Sequence, residues 1–242
     1  MMRKKPLSVI KKLIDKRYSD AKAVFWGGSV SRGLGTNTSD LDIIIVYEQI
    51  SSSYREAFIY ENWPIDAFIH DPETLGVLFK KIKEIGICGT MEMIINGKEI
   101  MLESNFSKRI KDSTREKFDL KPLAWEKKEI DNERFLITDL LDDILYPNSR
   151  AEQIASTAKL YEQLARFYFR AQNKWSASGK SILRYLEKDN SNIAYEYSHA
   201  FEKAFQGGDV QDLKNLVTKL LAPYGGLLWD GFRFDIPKAK II

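Results

Sequence analysis

The sequence predicts an α+β protein, an N-terminal domain built on a mixed sheet followed by an all-α helical bundle. Three observations lead to that class. Strand-like runs, Ala23–Trp26, Leu41–Tyr47, Arg55–Tyr60 and Pro64–His70, are confined to the first half of the chain. Beyond Leu120-Lys121-Pro122 the apolar residues recur at helical spacing instead. The chain has 242 residues, 44% of them hydrophobic and 29% charged, enough to bury a core in each of two domains of moderate size. The boundary is placed between residues 118 and 119, giving domains 1–118 and 119–242.

The first domain opens on a basic amphipathic helix with Ile10, Leu13 and Ile14 on one side. Its second strand begins at Leu41, and in the strand Pro64–His70 the alternation puts Asp66, Phe68 and His70 on one face. Asp71-Pro72-Glu73 starts a helix, with aspartate at the N-cap and proline in the first turn, and Gly86 ends it. Met91–Ile95, the turn Asn96-Gly97 and Glu99–Leu102 are expected to form a hairpin. A charged helix over Ser107–Phe118 closes the domain. In the second domain helices are expected at Glu126–Tyr146, Ala151–Gln172, Ser178–Lys188, Asn192–Phe205 and Asp209–Leu221. Ser149-x-x-Glu152 fits a capping box for the second of these. The apolar tail GGLLWDGFRF is expected to dock on the bundle.

Composition narrows the function classes. No apolar run reaches the roughly 18–20 residues of a membrane span, and charges interrupt the N-terminal apolar residues, so neither a span nor a signal peptide is expected. The single cysteine, Cys88, rules out an internal disulfide framework and a cysteine-rich zinc site, and the expected location is the cytoplasm. The net charge is +3. Residues 1–118 carry 19 Lys/Arg against 16 Asp/Glu, while the second half is balanced. That is far from the basic stripe of a dedicated nucleic-acid binder. A single bound triphosphate would account for the local excess.

The most specific stretch is residues 27–46, GGSVSRGLGTNTSDLDIIIV. It runs from a strand through a Gly- and Ser-rich loop into a second strand, at whose start stand Asp40 and Asp42. Residues two apart on a strand share a face and have alpha carbons roughly 6.5–7 Å apart, so both carboxylates can reach one metal cluster. Transfer of a phosphoryl or nucleotidyl group onto a hydroxyl needs a cradle for the triphosphate, divalent metal, and carboxylates to hold that metal. Mg²⁺ takes oxygen ligands at about 2.0–2.1 Å, and a pair of ions about 3.5–4 Å apart can serve both attacking and leaving oxygens.

The arrangement resembles the DNA polymerase β-like nucleotidyltransferase superfamily. Its signature is a hydrophobic strand, Gly-Gly or Gly-Ser, a spacer of roughly ten residues, Asp-x-Asp in the next strand, and a third acid in a later one. Gly28-Ser29, ten residues, and Asp40-Leu41-Asp42 follow it here, with Asp66 as the third acid. The resemblance implies that Asp40 and Asp42 bind two Mg²⁺ ions. It also implies that Asp66 joins the catalytic metal and helps deprotonate the acceptor. Gly28 would permit close backbone approach and Ser29 would bond a phosphate oxygen. The helical second half, with the stretch NKWSASGKSILRYL, is similar in architecture to the aminoglycoside and lincosamide nucleotidyltransferases. The resemblance implies NMP transfer, from ATP first among the NTPs, to a hydroxyl of a small aminoglycoside-like acceptor. Because interdomain clefts are favoured sites for small ligands, the acceptor is expected between the domains.

Other residues carry open alternatives. Arg32 either steers phosphate or decorates the loop, and Ser39 either contacts nucleotide or caps locally. Lys180 and Arg184, an i, i+4 pair on an expected helix, either hold the triphosphate or form a solvated face. Asp139, Asp142 and Asp143 on one helix are acceptor-side candidates or solvated carboxylates. The acceptor alternatives are tRNA or a protein, as in a toxin–antitoxin module. Outside the enzyme class stands a non-catalytic nucleotide sensor, which loss of an acid would favour; all three acids are present.

Overall fold

The structure, a computed structural model, describes residues 3–235. The chain divides into two compact units, Met1–Lys121 and Pro122–Ile242. Among the described residues no helix is long and apolar enough to cross a membrane.

The first unit is a five-stranded mixed sheet with helices. In chain order it runs α1 (Pro6–Arg17), β1 (Ala23–Trp26), the single turn α2 (Gly28–Ser31), β2 (Leu41–Val46), β3 (Tyr54–Tyr60), β4 (Trp63–His70), α3 (Pro72–Ile85), α4 (Gly89–Asn96), β5 (Lys98–Glu99) and α5 (Asn105–Asp119). The strand order is β3-β4-β2-β1-β5. β2 and β4 are parallel, and every other pairing is antiparallel. Val24, Trp26, Leu41, Ile43, Ile45, Ile65, Ala67 and Ile69 alternate onto one face, where Val9, Ile10, Leu13 and Ile14 of α1 complete the core. The same alternation turns Asp42 and Asp66 to the opposite face. β3 and β4 are joined by the two residues Glu61 and Asn62, both at positive φ (46° and 67°), as a tight hairpin of this length requires. Lys4 and Lys12 pair with the Glu61 carboxylate at this turn.

The helix after β4 starts as its sequence directs. Asp71 Oδ1 accepts from the Thr74 amide at 2.8 Å, and the Asp71 amide donates to Thr74 Oγ1 at 2.9 Å. The other carboxylate oxygen accepts from the Ile50 amide at 3.1 Å, tying the β2–β3 loop to the helix start. Burial pushes the Asp71 carboxyl up, but the hydrogen bonds from Thr74, Ile50 and Glu73 outweigh it, and the group titrates below its ordinary value of 3.8. Asp71→Ala is expected to cost about 1–3 kcal/mol of stability, read by urea unfolding. A carboxyl whose pKa is depressed in the fold contributes stability above its unfolded pKa and loses it as pH falls through the folded value. The gap between wild type and Asp71→Ala should therefore narrow below about pH 4.

One expected element is corrected. Residues 91–95 are not a hairpin strand but part of α4, with Met91 and Ile94 buried at helical spacing. Gly97 caps the helix, its amide donating to the Met93 carbonyl at 3.0 Å, rather than turning a hairpin. Lys98 and Glu99 then pair with Trp26 and Phe25 on the open edge of β1. A short apolar run does not distinguish a strand from a buried helix segment. Here a neighbouring strand edge and a core facing one side of the run decide it.

The second unit is all-helical: α6 (Lys127–Leu145), α7 (Arg150–Arg170), a 3-10 turn (Gly179–Ser181), α8 (Ile182–Asp189), α9 (Ser191–Gly207), α10 (Gln211–Leu221) and a second 3-10 turn (Ala222–Tyr224). Ser149 Oγ accepts from the Glu152 amide to open α7, and Gly208 at φ 72° closes α9. The core is built from Ile137, Leu141, Leu164, Phe167, Tyr197, Phe201 and Leu216, among others. The tail docks on α6. The buried Arg134 donates to the carbonyls of Gly225 (2.8 Å) and Gly226 (2.7 Å), Thr138 Oγ1 accepts from the Leu228 amide, and Phe135 stacks on Phe232 at 4.0 Å between centroids.

Candidate active site

Where β1 ends, the backbone passes through two consecutive glycines with different jobs. Gly27 is buried, and its amide donates to the Asp42 carbonyl at 3.0 Å, carrying the β1–β2 pairing one residue further. A methyl group there would meet the Met93 side chain at 2.5 Å. Gly28 sits at φ +74°, a conformation that costs an L side chain roughly 1–2 kcal/mol. A Cβ on it would lie 1.7 Å from Asp42 Oδ2. The backbone at Gly28 is thus pressed against a carboxylate, and only glycine allows that approach. Residues Gly28–Ser31 then form one helical turn where an open loop was expected, and the Leu34 and Arg32 amides close back on the Ser29 carbonyl. Ser29 Oγ lies 3.5 Å from Ser39 Oγ, which in turn accepts from the Thr36 amide at 2.8 Å.

The carboxylates are assembled by strand register. β2 and β4 run parallel with Asp42 opposite Asp66, and Asp40 lies two residues before Asp42 on the same chain. One oxygen from each of Asp40, Asp42 and Asp66 lies within 4.8 Å of the others. Asp66 is buried, at 7% exposure, and the other two are half-buried. All-oxygen, anionic donors are those that hard divalent cations take. Two oxygens on one such ion stand at most about 4.2 Å apart, twice a bond of about 2.1 Å. The cluster's spread, within 4.8 Å, exceeds what three oxygens around one ion adopt, so the carboxylates would draw inward on binding, and Asp40, Asp42 and Asp66 are the residues that would hold such an ion.

A cation already lies against the cluster. Arg55 on β3 donates from Nε to Asp66 Oδ1 and from Nη2 to Asp66 Oδ2, each at 2.7 Å, a two-pronged pairing across adjacent strands. Its guanidinium also lies over the Phe68 ring, 4.9 Å from the centroid. The hydrogen bond and charge of Asp66, with smaller contributions from Asp42 and Asp40, hold the Arg55 group above its ordinary value.

Gly28, Ser29, Ser39, Asp40, Asp42 and Asp66 are thus brought together in the first unit. Arg32 caps the α2 turn through its backbone and has an exposed side chain. Lys180 and Arg184 belong to the second unit and do not share a helix, which corrects the expected i, i+4 pair. Lys180 lies in the 3-10 turn, and Arg184 in α8 donates to Ser181 Oγ at 2.8 Å. Asp139, Asp142 and Asp143 are exposed on α6 of the second unit. His70 is buried, and burial lowers its pKa.

Arg55 is the site residue that the sequence pattern alone does not single out. A signal for it exists: a two-residue hairpin after Tyr60 fixes Tyr60 opposite Trp63. Counting back sets Ala57 opposite Asp66 and Arg55 two residues further along the same face.

Over residues 7–135, more than half of the chain, the sequence matches the nucleotidyltransferase domain. The match runs through the sheet and its helices into the first part of α6. No curated protein matches the chain. Among solved structures, a nucleotidyltransferase-like protein from Exiguobacterium sibiricum 255-15 aligns at 9% identity over 90% of this chain and 77% of its own, with a TM-score of 0.40. At that score the likeness supports no inference. The sequence match stands on its own: the chain belongs to the nucleotidyltransferase domain family and is a nucleotidyltransferase.

Proposed function

We propose that the enzyme moves an NMP unit, AMP first among the candidates, from an NTP to a hydroxyl of a small polycationic acceptor of the aminoglycoside type, with release of pyrophosphate. The observation that carries this reading is the convergence of Asp40, Asp42 and Asp66 beside a glycine turn that only glycine can make. Two Mg²⁺ ions bound there would draw charge from the phosphates and favour ionisation of the attacking hydroxyl. The Gly28 backbone and Ser29 Oγ receive phosphate oxygens, and Arg32 adds positive charge at the loop. The acceptor oxygen bonds to the α-phosphorus, the bond to the β-phosphate bridging oxygen breaks, and pyrophosphate leaves with that electron pair. The hydroxyl proton passes to an oxygen of Asp66. Asp139, Asp142 and Asp143, exposed on one helix, suit an acceptor carrying several ammonium groups.

The test is incubation of the protein with α-labelled NTPs and Mg²⁺ against panels of aminoglycosides, tRNAs and proteins. Label is expected in an aminoglycoside, with one pyrophosphate released per label transferred. Label in tRNA or protein alone would overturn the acceptor class and leave the transfer chemistry. No transfer from any NTP would overturn both.

A further inference from the structure

Asp66 is the most buried of the three acids, and both of its oxygens are engaged before any ligand arrives. A carboxylate offers about four acceptor positions, and Arg55 takes one on each oxygen, leaving the others available. The planar fork of the guanidinium fixes the plane of the carboxylate, which a single ammonium does not do. Arg55 is itself anchored across the strand pair and over Phe68, while its side chain is 65% exposed. Its charge compensates part of the repulsion among three clustered carboxylates. The same charge repels a divalent cation approaching the same oxygens.

Resting on the reading that the acidic triad holds divalent metal, we propose that Arg55 is a positioning residue with two opposed effects. It aims the Asp66 carboxylate for the transfer step, and as a resident counter-ion it weakens the affinity of the nucleotide-free triad for metal. Metal binding in the absence of nucleotide is therefore held loose, and the triphosphate, which brings its own anionic oxygens, completes the site. Removing the guanidinium should move affinity and turnover in opposite directions. Loss of a purely structural contact would degrade both.

The experiment is a Mn²⁺ titration of the nucleotide-free full chain followed by electron paramagnetic resonance, on wild type, Arg55→Ala and Arg55→Lys, with transfer kinetics measured alongside. Arg55→Ala is expected to bind Mn²⁺ about tenfold more tightly. Arg55→Lys keeps the charge and should stay within about threefold of wild type. Both variants lose the fork, so kcat should fall about 10–100-fold in each while KM for the NTP changes less than about threefold. Should the alanine variant not fold, Arg55→Met keeps a stem over Phe68 without the charge and is expected to give the same tightening. Mn²⁺ affinity unchanged or weaker in the neutral variants overturns the proposal while the triad's metal role stands. A chain that binds no Mn²⁺ in the wild type or in any of the variants, with or without NTP, removes both.

Discussion

Asp42→Asn is expected to lower the rate of nucleotidyl transfer by at least about 10³-fold, a loss of about 4 kcal/mol in transition-state stabilisation. The substitution keeps the shape of the side chain and removes one negative charge and one anionic ligand from the triad. Asparagine can present its carbonyl oxygen, but without charge, and its amide nitrogen is a donor facing a site built to receive cations. Asp42 stands opposite Asp66 on the parallel neighbour strand and close to Asp40. With three acids gathered there, losing one charge relieves repulsion, so the metal-free variant should melt at or above the wild-type temperature. Addition of Mg²⁺ with a non-hydrolysable NTP should raise the wild-type melting temperature and shift the variant much less, because only binding to the folded form stabilises it. Near wild-type turnover in Asp42→Asn would falsify the assignment of the triad.

Gly28→Ala comes second in expected effect and acts without altering any charge. Its new methyl carbon would stand 1.7 Å from Asp42 Oδ2 and 2.6 Å from Cγ, at a backbone φ of +74°. No side-chain rotation of alanine relieves that contact, so either the carboxylate or the turn must move. Turnover is expected to fall by about 10²-fold or more, since displacements near 1 Å at a reacting centre are that costly. The positive φ adds a stability loss of about 1–2 kcal/mol. Gly76→Ala is the matched control. Gly76 lies within α3 and lacks the positive φ, and a methyl group on it would meet no neighbouring element within 4 Å. Alanine there should leave turnover unchanged and stabilise the helix by up to about 1 kcal/mol.

Much of this site could be read from residue order, because the features that build it are local or periodic. The Gly-Ser turn is a short-range backbone signal, and the Asp-x-Asp spacing and the alternation of Asp66 with Phe68 and His70 follow from a strand's period of two. The helix of residues 72–85 was legible because Asp71, Pro72 and Gly86 are each short-range signals with a backbone cause. What escaped was tertiary. Met91–Ile95 carries β-compatible residues, yet the open edge of β1 is filled by Lys98 and Glu99, and the preceding segment buries one helical face instead. Lys180 and Arg184 are four apart, but a 3-10 turn breaks the helical phase between them. Arg55 needed the hairpin register, which depends on both Glu61 and Asn62 adopting positive φ.

The close packing of Gly28 on Asp42 also bears on how such a chain can change over generations. Any side chain at position 28 is excluded by the carboxylate at position 42, so the two identities are not independently selected. A descendant that gave up Asp42 for alanine or serine would ease the steric objection at Gly28 to the approach of the Cβ at position 42, 2.9 Å away, and would leave the backbone objection in place. Inactive relatives should then accumulate Asn or Asp at position 28, residues that tolerate positive φ, only after the acid at 42 has gone. Among active relatives, drift at position 28 should be silent. Paired loss, in that order, would mark lineages in which the fold outlived the chemistry.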